Sequence, residues 1–136
     1  MNPIIQQETT GCAIASSAAI ASVSYEEAKL VANSLDIYAE DQELWSSISH
    51  IKKILKKFGI STADKEQPFA GWRSLPNCAL MSIKWHVVNG KPFWHWVVFV
   101  REGSNEYVLD SKKLLKTNKR TDFGRMKPKW FIEVYA

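Results

Sequence analysis

The 136-residue sequence predicts an α+β domain, with helices first and a largely antiparallel sheet after them. Three observations carry this. Apolar residues recur at helical spacing up to about residue 60. From Pro76 onward they gather instead into short β-branched and aromatic runs. Turn residues separate those runs. We expect a single domain over residues 1–136, helical at about 1–60 and a sheet at about 76–136.

Each helix has a local cause. Gly11-Cys12 opens a stretch of small residues, Ala13 to Ala21, suited to a helix packed closely on all sides, with Thr9 or Thr10 placed to cap it. Ser24-Tyr25-Glu26-Glu27 is a capping box, and the helix it starts should run to about Leu35. Leu44, Ile48, Ile51, Leu55 and Phe58 form one apolar stripe at spacings of four and three, and Gly59 supplies its stop. Lys52, Lys53, Lys56 and Lys57 fall off that stripe and read as its wet face. Strands are expected at 79–85, 95–101, 106–109 (after the Gly103-Ser104-Asn105 turn) and 129–135. Asn89-Gly90 signals a hairpin, and Pro92 argues for a loop longer than two residues.

Composition bounds the function. With 46% hydrophobic and 24% charged residues the chain reads as an ordinary globular protein, which excludes disordered and low-complexity classes. No apolar run approaches the roughly 20 residues of a membrane span. The stretch from Thr9 to Tyr25 lacks the basic start of a secretory signal, so a cytoplasmic protein is expected. The distant Cys12 and Cys78 then read as free thiols. The three histidines and two cysteines show no zinc-ligand spacing, and neither metal nor cofactor is expected. Charge is uneven: residues 1–51 hold Lys29 against seven acidic residues, whereas Lys112 to Lys129 contain eight Lys or Arg and one Asp. A solvated loop and surface strand account for that segment. Nucleic-acid binding through it is the alternative, and it requires affinity that falls steeply with salt.

Cys12 falls in the first turn of a helix, where unpaired N–H groups and the positive dipole end favour thiolate over thiol. Cys78 has no comparable setting and reads as structural. A thiolate nucleophile needs a base. His50 flanks the third helix and His86 lies near the hairpin turn. His95 begins the strongest strand, where alternation puts Trp94, Trp96, Val98 and Val100 on one face and His95, Val97 and Phe99 on the other. Counting back from the turn at 103–105 places Asp110 opposite residues 95–97, beside the imidazole it would orient. Gln6 or Gln7, just ahead of the helix, could supply a side-chain amide that completes an oxyanion hole with the Cys12 N–H.

At this point the residues resemble a known family. Gln6-x5-Cys12, then His95-Trp96-Val97-Val98-Phe99, then Tyr107-Val108-Leu109-Asp110 look like the papain-like peptidases that process bacteriocin double-glycine leader peptides. The resemblance implies Cys12 as nucleophile, His95 as base, Asp110 as its orienting residue and Gln6 in the oxyanion hole. It also implies a papain-like domain with a Cys-bearing helix packed on an antiparallel sheet. Gly11 and Ala13 stand where the family commonly has Asp and Gly around the cysteine. Trp94 replaces a Gly, and Ser111 replaces a Pro. The membrane and ATPase parts of an exporter are absent from the sequence, which reads as a stand-alone form. The expectation is a cysteine peptidase acting on a peptide or protein, with Trp94, Trp96 and Trp85 available to wall an apolar cleft. Rival readings are a transamidase, deamidase or isopeptidase using the same triad, a non-catalytic peptide-binding module, and the nucleic-acid binder above.

Overall fold

The structure, a computed structural model, describes residues 1–41, 43 and 47–135. Three helices, α1 (Cys12–Ala21), α2 (Tyr25–Ser34) and α3 (Ile48–Lys57), precede seven strands. These are β1 (Ser61–Thr62), β2 (Gln67–Pro68), β3 (Cys78–Val88), β4 (Lys91–Glu102), β5 (Asn105–Leu109), β6 (Lys119–Arg120) and β7 (Trp130–Tyr135). The strands pair antiparallel in the order β1-β7-β3-β4-β5-β6, and β2 also pairs with β7. The fold is α+β, as expected.

Helix α1 is buried from Cys12 to Ile20, which explains its small residues: only Ala and Ser let neighbours approach on every side. Its N-cap is Gly11, with no side-chain cap bond. The expected threonine cap does not form, because the Thr10 hydroxyl donates to the Ala39 carbonyl instead. The Ser24 Oγ does accept from the Glu27 N–H, at 3.1 Å. In α3, Ile51, Ile54 and Leu55 are buried, so Ile54 joins the expected stripe. Leu44 lies outside the described residues. Gly59, at φ 78°, ends α3 in the left-handed conformation, with the Ile60 N–H reaching back to the Leu55 carbonyl at 3.0 Å.

The hairpin between β3 and β4 turns on two residues, Asn89 at φ 51° and Gly90 at φ 78°, and Val88 pairs directly with Lys91. The longer loop expected from Pro92 is therefore corrected. Next to a two-residue turn the flanking pair is hydrogen-bonded, and the following pair, Val87 with Pro92, is not. The missing N–H of Pro92 costs the ladder nothing.

The sheet has two covered faces. Trp94, Trp96, Val98, Val100, Leu80 and Ile132 pack under the helices. Val97, Phe99, Met81 and Phe131 pack on the other side, against Leu75, Met126 and the rings of Phe69, Trp72 and Phe123 from the loops. Two-sided burial of β4 explains its nearly unbroken apolar sequence.

Candidate active site

The segment before α1 is pinned at two places, by Ser111 and by α2. The Gln6 N–H donates to the Ser111 carbonyl at 3.0 Å, and the Ser111 hydroxyl donates to Gln6 Oε1 at 2.7 Å. The Glu8 carboxylate accepts from the Tyr25 hydroxyl and from Lys29, both on α2. Burial works against ionisation of Glu8, but these bonds and the lysine charge hold its pKa below the ordinary value. Gly11 sits where a Cβ would meet the Tyr25 hydroxyl, 3.1 Å from the Glu8 carbonyl and 3.3 Å from the Gln6 Cβ. Its φ of −87° suits any residue. Close approach, and not backbone strain, is what requires a glycine.

This segment delivers Cys12 to the first position of α1. The first helical bond runs from the Ala15 N–H to the Gly11 carbonyl, at 3.0 Å. The N–H groups of Cys12, Ala13 and Ile14 thus have no partner within the helix. Cys12 is fully buried, and its Sγ accepts from the Trp96 N–H across a 3.5 Å contact. Helix α1 therefore enters against the β4 backbone beside His95.

His95 and Asp110 meet as the strand count required. The last β4–β5 ladder pair is Val98 with Leu109, and Asp110 follows directly. His95 Nε2 lies 2.7 Å from Asp110 Oδ1. That leaves Nδ1 for the Cys12 sulfur, which is also a hydrogen-bonding partner of the imidazole. Burial alone would lower the His95 pKa. The bonds and charges of Asp110 and Cys12 outweigh it and push the imidazole up to about 9. Asp110 is almost fully buried, which disfavours its charge. His95, the Lys112 N–H and Arg120 overcome that and hold the carboxyl at about 2.

Three contributors are not legible as such in the sequence. Arg120 reads as one cation in a basic run, yet its Nη1 donates to Asp110 Oδ2 at 3.0 Å while Nε and Nη2 hold Asp122. Strand β6 pairs Arg120 with Val108, and two residues carried no recognisable strand signal. Ser111 reads as a departure from the family's proline and proves to be the anchor of Gln6. Lys84 is held at φ 54° within a bulge of β3, a conformation that nothing in the sequence announced. The basic segment as a whole is partly engaged in the fold: Lys119 lies over the Tyr107 ring at 4.1 Å and Lys129 over Trp85 at 4.6 Å.

Of the glutamines, Gln6 is buried and its Nε2 donates to the Glu8 and Thr9 carbonyls, at 3.0 and 2.9 Å. Gln7 donates to Glu26 at the surface, at 2.6 Å. A cleft of about 530 Å³ opens between the Gln6–Thr9 segment and His95, with Trp94 in its wall. Trp96 is a correction. It is fully buried, stacked edge-to-face on Trp94 and Trp130 at 5.6 and 5.3 Å, and has no surface to offer a ligand. Alternation puts it on the same face as Trp94, and packing against Trp130 of β7 beneath the helices buries it. Trp85 lies away from the cleft, and Cys78 is raised by burial to about 11. His50 is half-buried on α3, and His86 lies exposed at the cleft edge with Nδ1 2.9 Å from the Lys84 carbonyl.

By sequence, no protein-family model and no curated protein matches the chain. By structure it is similar to a double-glycine motif protease from an AMS/PCAT transporter, solved in complex with the leader peptide. The TM-score is 0.63 at 16% identity, over 98% of this chain and 89% of that one. No helix among the described residues is long and apolar enough to cross a membrane. The chain thus has the papain-like fold of a double-glycine motif protease, built here from three helices and a seven-stranded antiparallel sheet.

Proposed function

We propose that the chain is a cysteine peptidase in which Cys12 attacks a peptide carbonyl. One observation carries the reading: the start of α1, the interior of β4 and the residue after β5 converge to put a thiol, an imidazole and a buried carboxylate in sequence. The proton of the Cys12–His95 pair rests on the imidazole, whose pKa is raised to about 9, and the thiolate adds to the carbonyl carbon. His95 then protonates the leaving amine as the C–N bond breaks. Water, deprotonated by His95, cleaves the thioester and restores the thiol. Asp110 keeps Nε2 engaged so that Nδ1 faces the sulfur.

The oxyanion would be met by the Cys12 N–H and the Gln6 amide. Both Gln6 amide hydrogens rest on backbone carbonyls, so Gln6 exchanges one of those bonds for the oxyanion as charge develops. Ser111 holds the other end of the amide and limits the movement. Loss of one such donor typically costs about 3 kcal/mol of transition-state stabilisation, so Gln6→Ala should lower kcat by roughly 100-fold. A double-glycine leader peptide is the first substrate to try, because the structural neighbour was solved with one.

Iodoacetamide labelling across pH 4–8 tests the nucleophile directly. Cys12 should label, while the raised Cys78 stays unlabelled. His95→Ala should abolish that advantage. Equal, ordinary profiles at both cysteines would overturn the peptidase reading.

A further inference from the structure

We propose that Lys84 and Lys112 form an anion subsite in the cleft beside His95, which takes a carboxylate of the substrate. The proposal rests on the peptidase reading and names the chemistry that the cleft selects. Strand β3 pairs Ile83 with His95 and then His86 with Phe93, so Lys84 and Trp85 together oppose Trp94 alone. Such a bulge re-aims side chains, and bulges concentrate near active sites. Here it turns Lys84 to the cleft.

The backbone at Lys84 is in the left-handed region, at φ 54°. A lysine there carries backbone strain that a glycine would not. Strain of this kind gathers at functional sites. The cleft also receives Lys112 and Lys113, while Trp94 and Leu114 give it apolar surface.

The acidic groups nearby are already committed. Glu8, also on the cleft, is held by Tyr25 and Lys29. Asp110 is shared between His95 and Arg120. Among the described residues neither Lys84 nor Lys112 has an acidic ion-pair partner. Burial, then the neighbouring Lys112, lowers the Lys84 pKa. A carboxylate between the two ammonium groups relieves that repulsion. His95, which would protonate the leaving amine, borders the same cleft. The carboxylate therefore lies within a few residues of the bond cleaved. Its source is an Asp or Glu side chain or the peptide's free C-terminus.

Binding to the full chain carrying Cys12→Ala tests this without turnover. The probes are acetylated Gly/Ala hexapeptides in three forms: one Glu with an amidated end, one Gln with an amidated end, and one Gln with a free carboxyl end. At low salt the Glu form, the free-carboxyl form or both should bind about fivefold tighter than the neutral form, the scale of one to two exposed ion pairs. Which acidic form gains identifies the source. Lys84→Gly in the same background should erase the gain, and because glycine relieves the strained φ the fold is retained. Lys112→Met serves as the second variant. Equal affinity for all three forms, or a gain that survives both variants, would overturn the subsite. Should iodoacetamide show no activated Cys12 while the acidic forms still bind through Lys84, the peptidase reading fails and the anion site stands.

Discussion

At the scale of single residues, the proposed chemistry depends on one imidazole whose two nitrogens are committed to different partners. Removing either partner should be visible in its titration. In the intact protein the His95 ring should titrate near 9, followed by the NMR shift of its carbon-bound protons. Asp110→Asn and Cys12→Ala should each move that value downward, since each deletes a group that favours the imidazolium. An unchanged midpoint in both variants would show that the ring senses neither. Arg120 acts one step further out. Arg120→Ala leaves one oxygen of a buried carboxylate without its donor, and should cost about 2 kcal/mol of stability in a denaturant titration. The expected kinetic signature is a lower kcat with little change in KM, because in the proposed mechanism Arg120 acts through the position of Asp110.

Among elements, helix α1 and the segment before it carry the largest sequence constraint. Ala18 is fully buried, and Ala18→Leu forces extra methyl groups into a packed layer. A loss of about 1–3 kcal/mol is expected in thermal or urea unfolding. A neutral effect would mean that the helix has room its small residues do not need. Ser111 ties the end of β5 to Gln6 and offers a cleaner functional test. Ser111→Ala deletes the bond to Gln6 Oε1 but keeps the backbone contact. It should reduce kcat while leaving Cys12 alkylation intact, because in the proposed mechanism the thiol and imidazole do not depend on that bond. A parallel loss of alkylation would place Ser111 in the support of the thiol instead.

For the whole molecule, the same pair of groups shapes stability against pH. Asp110 has its folded pKa lowered to about 2. Its contribution is complete above its unfolded value of about 4 and is lost as pH falls through 2. His95 has its folded pKa raised to about 9. Its contribution is complete below about 6.5 and is lost as pH rises through 9. Both are present between about pH 4 and 6.5, where Tm should be highest. From pH 6.5 to 9 Tm should fall, and His95→Asn should flatten that decline. By itself the sequence determined the order of elements, the burial of α1, the alternation of β4 and the approach of His95 to Asp110. Those follow from periodicity and from register across one short turn, which are local. Only the tertiary structure decided that Gly11 caps α1, that Ser111 holds Gln6 and that Arg120 reaches Asp110. It also placed Trp96 in the core and turned Lys84 to the cleft. These depend on contacts between residues far apart in sequence, or on a bulge whose cause is the packing of two strands, and no local pattern encodes either.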